Sequence, residues 1–391
     1  MNDPVALNCH HCGATFVRVR LEPGQWSRCS RCEEVLETYG GLNSQAWLAV
    51  ILAAAITFVL ANAFPVMTLI FQGTGQATTF LGAVKATWYA GYPEVAVLTA
   101  LVGFGFPVFK LLLLAMLFLP MSLGRLPSYF EWVLGLIGWV RHWCMVPVFL
   151  LGALVAIVKL IDLAQLEVGV GLYATAVSSL FFTAIAKLRP AKIRYLALDE
   201  GLPAAPPVAE SAPTPACLPK AWALLLAAAI LYIPANALPV MYIGTISGGS
   251  GHTILGGVIE LVNMGSWDIA AVVFIASIFV PIFKIILLAT LLWLTQRSSS
   301  WRLRRRTRLF RVVEAIGQWS MLDVFVVILL TSLAQFGKLL DITPGGGAVA
   351  FGAVVVLTML SAMSFDSRLA WRRAGYRRSI FARPSHKLSA A

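Results

Sequence analysis

The chain contains 391 residues, of which 59% are hydrophobic and only 12% are charged, and its mean hydropathy is +0.81. Since soluble domains carry about 25% charged residues, this composition excludes an ordinary soluble enzyme. The net charge of +12 would suit nucleic acid or anionic lipid, but the basic residues fall between apolar segments, which indicates a membrane protein. The N-terminus has no basic start followed by an apolar core, so we expect no signal peptide.

Four cysteines near the N-terminus form two Cys-x-x-Cys pairs. Cys9 and Cys12 are separated from Cys29 and Cys32 by sixteen residues, which is the spacing of a zinc ribbon. Four thiolates complete a tetrahedral shell and leave no position for water, so the pattern predicts one structural Zn²⁺ ion. Disulfides are the main alternative, but a cytosolic location keeps thiols reduced.

Eight apolar segments follow, each close to the roughly 20 residues that cross a bilayer as a helix. They cover residues 46–70, 94–119, 143–163, 169–187, 221–243, 268–295, 319–341 and 347–365. Hydropathy therefore predicts an all-α integral membrane protein with eight transmembrane helices.

The second half of the chain repeats the first. Residues 61–67 read ANAFPVM and recur as ANALPVM 174 residues later, and FPVFK at 106–110 recurs as VPIFK with the same shift. A repeat of this kind predicts two tandem units of four helices each. The predicted organisation is a zinc ribbon (1–42), a first membrane unit (43–198), a Pro-rich cytoplasmic linker (199–220), a second membrane unit (221–366) and a basic cytoplasmic tail (367–391).

The two units must share one orientation, because each contains an even number of spans. Of the 30 Lys and Arg residues, 25 fall in the N-terminal segment, the loops after spans two, four and six, and the tail. Lys85 is the one basic residue that this topology places in a loop on the opposite side. The positive-inside rule then predicts that both termini are cytoplasmic. The same basic segments also suit contact with anionic headgroups.

Ionisable residues inside the apolar segments are costly and often mark a transport pathway or a buried pair. Lys110 and Lys284 occupy equivalent positions in the two units, each three residues after a Pro that weakens helix hydrogen bonding. Snorkelling of the long side chain to the interface is the alternative. Counting depth along the helices gives three candidate charge pairs: Lys284 with Asp323, Glu94 with Lys159, and Asp268 with Lys338.

The two units differ at one of these positions. Asp323 corresponds to Pro147 in the first unit, so we expect the second unit to contain the more important polar network. Asn62 and Asn236 precede a Pro in the first span of each unit. They are predicted to bind freed backbone groups, to line a cavity, or, as the favoured role, to join helices by hydrogen bonds.

Several chemistries are absent from the sequence. It contains no Walker A loop, and none of its five His residues forms a pair deep in a span, which disfavours haem ligation. No Ser-His-Asp pattern is evident. We therefore expect that the protein is not an enzyme.

The repeated ANA[FL]PVM and P[VI]FK segments, the N-terminal Cys-x-x-Cys pairs and WSMLDVF at 319–325 together resemble the paraquat-inducible protein A family, which includes LetA-like lipid-transport proteins. The resemblance extends over nearly the whole chain. It implies zinc ribbons joined to four-helix membrane units in the inner membrane of Gram-negative bacteria. It also implies a periplasmic MCE-domain partner and movement of phospholipids between the two membranes, with Lys284 and Asp323 in the transport network.

The chain departs from the family pattern at two places. A second ribbon usually precedes the second unit, whereas here a Pro-rich linker with a lone Cys217 takes its place. The first unit reads WCMVPVF at 143–149 and so lacks the carboxylate of the second. The main hypothesis is a lipid-transport component. The alternatives are a membrane scaffold that transports nothing and a proton-coupled transporter of small solutes.

Overall fold

A computed structural model of the protein gives its fold. The structure describes residues 6–19, 21–22, 24–39, 42–71, 74–89, 91, 93–141, 143–144, 146–160, 165–202, 217–245, 248–263, 265, 267–297, 303–319, 341–375 and 385–388. These residues are mostly helical, as the sequence predicts.

The N-terminal cysteine domain, residues 6–39, contains two antiparallel hairpins, each with a Cys-x-x-Cys turn between its strands. Its strands are β1 (Ala6–Asn8), β2 (Thr15–Val17), β3 (Gln25–Arg28) and β4 (Val35–Thr38). Strand β3 also pairs with a strand from the far end of the chain, Ser385–Leu388. The tail thus completes a three-stranded sheet in the cysteine domain.

The first half of the chain continues from the cysteine domain. Its elements are α1 (Ser44–Ala63), β5 (Met67–Phe71), β6 (Thr74–Thr78), α2 (Phe80–Tyr89), α3 (Pro93–Ala100), a π-helical turn (Leu101–Gly105), α4 (Phe106–Ser122), α5 (Phe130–Val140), α6 (Val146–Leu160), β7 (Gln165–Val168), α7 (Val170–Ala186) and α8 (Pro190–Asp199).

The second half has nearly the same element order. Its elements are α9 (Cys217–Ala237), β8 (Met241–Thr245), β9 (Gly248–His252), α10 (Ile254–Asn263), α11 (Trp267–Phe274), a second π-helical turn (Ile275–Phe279), α12 (Val280–Gln296), α13 (Leu303–Trp319), β10 (Asp341–Pro344), α14 (Gly346–Ser364) and α15 (Arg368–Arg373), followed by β11 (Ser385–Leu388). Helices α4 and α12 begin 174 residues apart, at positions 106 and 280. Helices α7 and α14 begin 176 residues apart, at positions 170 and 346.

Each half also contains a small antiparallel sheet that the all-α prediction omitted. The strand order is β6-β5-β7 in the first half and β10-β8-β9 in the second. The chain leaves one membrane helix and enters another here, and strand pairing satisfies the backbone N–H and C=O groups that are no longer helical. The predicted spans 46–70 and 221–243 are therefore too long: α1 ends at Ala63 and α9 at Ala237, and the apolar residues after them belong to β5 and β8. A short apolar run does not by itself distinguish a strand from a helix.

Among the described residues, five helical segments are long and apolar enough to cross a membrane. They are Ser44–Ala63, Ala96–Ser122, Cys217–Ala237, Ser277–Gln296 and Gly346–Ser364. A sixth results if α7 and α8, which meet at a bend of 71°, form one broken span. Most of the predicted span 319–341 and much of the linker 199–220 lie outside the described residues. The predicted number of eight spans and the domain boundaries therefore remain predictions.

The basic segment before the seventh predicted span is a helix and not a loop. Helix α13 buries Leu303, Thr307, Phe310 and Val313, a spacing of three and four residues that places them on one helical face. The Arg residues between them occupy the other positions. The hydropathy profile missed this helix because Arg residues dominate its average, while its apolar stripe faces the core.

In each half, the backbone of the repeated PVM segment lies close to the backbone of a glycine-containing segment that begins a later helix. The N–H groups of Gly169 and Gly171 donate to the carbonyls of Val66 and Pro65 at 3.0 and 2.9 Å. The second half repeats this contact at Gly345 and Gly347. A Cβ atom on Gly171 would lie 2.3 Å from the carbonyl oxygen of Phe64, so this position tolerates only glycine.

Gly171→Ala should therefore lower the unfolding temperature of the purified protein, with a cost of about 1–3 kcal/mol from the forced backbone shift. Gly135→Ala is the matched control, because a Cβ on this helical glycine meets nothing within 4 Å and Ala is the better helix former. Thermal unfolding followed by tryptophan fluorescence in detergent measures both. Equal unfolding temperatures for the two variants would contradict the close approach.

Candidate functional site

The four N-terminal cysteines form a buried cluster at the tips of the two hairpins. Their Sγ atoms all lie within 4.8 Å of one another, and Cys9 and Cys32 approach to 3.4 Å while Cys12 and Cys29 approach to 3.5 Å. A tetrahedral ion with metal–sulfur bonds of about 2.3 Å requires sulfur–sulfur distances of about 3.8 Å. The cluster therefore fits one metal ion.

Both Cys-x-x-Cys turns have the same backbone geometry. The N–H of Gly13 donates to the carbonyl of Cys9, and that of Glu33 donates to the carbonyl of Cys29, both at 2.9 Å. Gly13 has φ 69° and Glu33 has φ 63°, so each turn ends in the left-handed region. This conformation is common for Gly and strained for Glu. The carboxylate of Glu33 pairs with Arg304 and Arg308 of α13, which gives a reason for Glu at this position.

Electrostatics within the cluster also favour a cation. Hydrogen bonds from Cys12, and then from Cys32 and Cys9, lower the pKa of Cys29. A hydrogen bond with Cys12, followed by those with Cys29 and Cys32, raises the pKa of Cys9. Ionising one thiol therefore disfavours ionising its neighbours, and a bound metal cation removes this conflict because it stabilises thiolates directly.

Arg18 joins the cysteine domain to the first half of the chain. Its guanidinium donates to the carboxylate of Glu37 in the cysteine domain at 2.6 Å and to that of Asp199 at the end of α8 at 2.7 Å. It also lies 4.6 Å from the centre of the Tyr195 ring. Burial alone would lower the pKa of Arg18, but the hydrogen bonds to Asp199 and Glu37 raise it. Arg18 therefore holds the cysteine domain against the end of α8 through charge-assisted hydrogen bonds.

Helix α13 joins the cysteine domain to the second half. Arg304 and Arg308 contact the carboxylate of Glu33 at 3.3 and 3.4 Å, and Arg311 contacts that of Glu34 at 2.8 Å. The pairs to Glu33 are exposed, and each contributes little alone. Their number and the buried position of Glu34 nevertheless fix which face of the domain meets α13.

Apolar packing completes this junction. The buried core of the cysteine domain includes Tyr195 from the first half, together with Leu303 and Trp371 from the second. The indole N–H of Trp371 donates to Oγ1 of Thr307 at 3.0 Å. The cysteine domain thus contacts both halves of the chain in one continuous core.

The second feature is a buried ammonium group in the second half. Lys284 in α12 is 1% exposed, and its Nζ donates to Oγ1 of Thr358 in α14 at 2.9 Å. The Thr358 hydroxyl in turn donates to the carbonyl of Val355 at 2.9 Å. A charge at this depth is costly unless it is hydrogen-bonded, so the hydroxyl is a necessary partner.

Lys110 occupies the equivalent position in the first half and is 3% exposed. Within the described part of the chain, no hydrogen-bond acceptor contacts its ammonium. The position 176 residues before Thr358 is Phe182, which is buried and packs against Phe58. An aromatic ring cannot replace the hydroxyl as a hydrogen-bond acceptor of comparable strength.

Thr358 and Ser277 were missed in the sequence. Ser277 is buried in the π-helical turn before α12, seven residues from Lys284 and hence about two turns away on nearly the same helical face. Its equivalent in the first half is Gly103, again in a π-helical turn. Such turns are frequent at functional sites. Comparison of the two halves at their shifts of 174 and 176 residues would have revealed both polar positions.

The two predicted asparagines contact their own helices. Nδ2 of Asn62 donates to the carbonyl of Phe58 at 2.8 Å, and Nδ2 of Asn236 donates to that of Tyr232 at 2.9 Å. Asn62 also lines a small cavity beside Phe80. Glu94 is exposed in the first turn of α3, where a negative charge is favourable for the helix dipole.

The other predicted partners cannot be placed. Asp323 and Lys338 lie outside the described residues, and the side chains of Lys159 in α6 and Asp268 in α11 are also outside the described part. The pairs Lys284 with Asp323, Glu94 with Lys159, and Asp268 with Lys338 therefore remain predictions.

Comparisons with known proteins agree with the duplicated order of elements. The family described as Paraquat-inducible protein A matches the chain twice, over residues 44–193 and 218–375. The chain is 32% identical over 404 residues to Intermembrane transport protein PqiA of Escherichia coli strain K12, covering 93% of this chain and 95% of the relative. No solved structure matches.

Two further relatives show similar coverage. The chain is 30% identical over 412 residues to a Probable intermembrane transport protein of Haemophilus influenzae, covering 94% of this chain and 95% of the relative. It is 29% identical over 416 residues to Lipophilic envelope-spanning tunnel protein A of Escherichia coli strain K12, covering 93% and 90%.

We expect the purified protein to contain one metal ion per chain and Cys29→Ser to lose it, because three thiolates leave the tetrahedral shell incomplete. Cys217→Ser is the matched control, since Cys217 lies at the start of α9 and outside the cluster. Inductively coupled plasma mass spectrometry measures the metal content. A metal-free wild type with disulfides among the four cysteines would contradict the metal centre.

Proposed function

Because the chain belongs to the paraquat-inducible protein A family, we propose that it is the inner-membrane component of a system that moves phospholipids between the inner and outer membranes of a Gram-negative envelope. The match confirms the resemblance seen in the sequence motifs. The relatives are named as intermembrane transport proteins and as a lipophilic envelope-spanning tunnel protein, and these names support a role in envelope lipid transport. A periplasmic MCE-domain tunnel protein is the proposed partner.

The proposed membrane architecture consists of two parallel units of four transmembrane helices, eight in all, with both termini in the cytoplasm. The repeated element order and the double family match support this arrangement. Five apolar helices and one bent pair supply candidate spans. The positive-inside rule supports the orientation, since the basic residues of α13 and α15 lie at the same end as the cysteine domain.

The proposed metal is Zn²⁺, held by Cys9, Cys12, Cys29 and Cys32 in a zinc ribbon. When bound, it supplies structure, because four thiolates leave no open position for a reaction. Its role follows from what the domain contacts: the ribbon joins α8 of the first half to α13 of the second. We assign it the task of holding the two halves in a fixed arrangement.

The observation that carries the proposed transport role is the buried contact between Lys284 and Thr358. Both residues lie in the second half, and the first half has Phe182 in place of the hydroxyl. A buried charge of this kind is costly and usually functional. In the proposed mechanism, Lys284 exchanges between Thr358 and the carboxylate of Asp323, and this exchange changes the packing of α12 against α14 during lipid passage.

Replacing Lys284 by a neutral residue distinguishes the transport hypothesis from the scaffold hypothesis. Lys284→Met keeps the volume and removes the charge, so folding and partner binding should persist while function falls by roughly tenfold or more. Lys110→Met is the matched control, since it removes the equivalent buried ammonium in the half without the hydroxyl. Growth of a null strain under detergent stress, together with recovery of the MCE-domain protein by affinity purification, measures both effects.

The two hypotheses give different results in this experiment. A transporter loses function with Lys284→Met and still retains its partner. A scaffold retains both function and partner, because its buried charges are structural. Full growth of the null strain with Lys284→Met at normal expression would therefore contradict the proposed role of this residue.

A further inference from the structure

A large cavity lies where the cysteine domain meets both halves of the chain. Its volume is 530 Å³, within the range of about 300–1,000 Å³ typical of ligand pockets. The cysteine domain contributes His10 and His11, the first half contributes α5 and the bend between α7 and α8, and the second half contributes α12, α13 and α14. Nothing in the proposed transport step uses this space apart from Lys284, which lies in its lining.

The polar part of the lining is predominantly cationic. Arg141, Arg189, Arg368 and Lys284 line the cavity, and Asp366 is the one acidic residue among the described lining residues. Asp366 is paired with Arg368 at 2.6 Å. Four cationic side chains against one carboxylate give the described lining a net positive formal charge, and Arg guanidinium groups bind phosphate through planar, two-pronged hydrogen bonds.

The rest of the lining is apolar. Phe310 and Val313 from α13 and Met359 from α14 contribute to it, as does Phe365, whose ring packs edge to face against that of Phe310 with the ring centres 5.2 Å apart. Trp139 from α5 also lines the cavity, and 49% of its surface is exposed. Its ring packs against that of Phe106, with the ring centres 5.6 Å apart. Partly exposed Trp residues are enriched at the level of lipid headgroups. The cavity therefore combines cationic side chains with an apolar wall, and the exposed Trp139 is of the kind found at a membrane interface.

The positions along α14 give the cavity a direction. Arg368 lies beyond the end of α14 beside the cysteine domain, whereas Met359 lies next to Thr358 and Lys284 in the helix bundle. From Met359 to the end of α14 at Ser364 the helix covers roughly 8 Å, and the chain leaves the helix at Phe365 before reaching Arg368. The cavity extends from the charged junction towards the buried ammonium.

We propose that this cavity binds an anionic phospholipid, with its phosphate at Arg141 and Arg189 and part of an acyl chain along Phe310, Met359 and Phe365. A free phosphate has the same anionic chemistry but would leave this apolar wall in contact with water, which is unfavourable. The proposal rests on the proposed transport function for the class of cargo. It adds a binding site at the cysteine-domain end and a preference for anionic headgroups.

The test is a binding measurement on the full chain in detergent, with short-chain phosphatidylglycerol, short-chain phosphatidylcholine and inorganic phosphate as probes. We expect wild type to bind phosphatidylglycerol about tenfold more tightly than phosphatidylcholine, because one net negative charge distinguishes the two lipids. The variant Arg141→Gln/Arg189→Gln should lose this preference. Arg305→Gln is the matched control, since Arg305 is exposed on α13 and absent from the lining.

If the double Arg variant does not fold, a second variant that keeps all the charges tests the same site. Ala362→Phe keeps every charge and places a ring into the cavity, so it should reduce binding of both lipids. Unchanged phosphatidylglycerol binding in both variants would overturn the site. Binding of inorganic phosphate as tight as that of phosphatidylglycerol would overturn the lipid assignment in favour of a simple anion site.

Failure of this site and failure of the proposed function give different results. If Lys284→Met loses function while the cavity variants bind phosphatidylglycerol like wild type, the site is overturned and the transport function stands. If the cavity variants lose phosphatidylglycerol binding while Lys284→Met supports full growth of the null strain, the site is supported and the proposed role of Lys284 fails.

Discussion

The second half of the chain must keep a buried ammonium hydrogen-bonded inside an apolar helix bundle. Lys284 meets this requirement through Thr358, whose hydroxyl is itself bonded to the backbone. The contact links α12 to α14, so moving the charge away from Thr358 would remove a buried hydrogen bond between these helices. Lys110 is buried in the first half without such a partner in the described part of the chain. The duplicated fold is therefore chemically asymmetric.

The cysteine domain imposes a second constraint at one end of the bundle. Arg18 fixes it to α8, and Arg311 with Glu34 fixes it to α13, while the tail strand β11 pairs with its sheet. The cysteine domain thus connects elements from both halves and from both ends of the chain. The cavity beneath the domain exists because these three parts meet without filling the space between them.

The sequence predicted the features that depend on local spacing or long apolar runs: the four-cysteine cluster, the repeat and most apolar helices. It did not predict the strands β5 and β8, because hydropathy placed most of their residues at the ends of the predicted spans 46–70 and 221–243, and one neighbour of each strand comes from a distant position in the chain. Thr358 was also missed, since a hydroxyl 74 residues from Lys284 gives no local signal in an apolar helix. The contacts of Arg18 likewise depend on tertiary structure.

Lipid transfer by the reconstituted protein is the most direct test of the central claim that transport requires the buried charge of Lys284. Proteoliposomes containing a fluorescent phospholipid, with the co-purified periplasmic partner added, report the rate at which lipid reaches acceptor vesicles. The account predicts that wild type exceeds protein-free liposomes and that Lys284→Met does not. Transfer by Lys284→Met at the wild-type rate would contradict it.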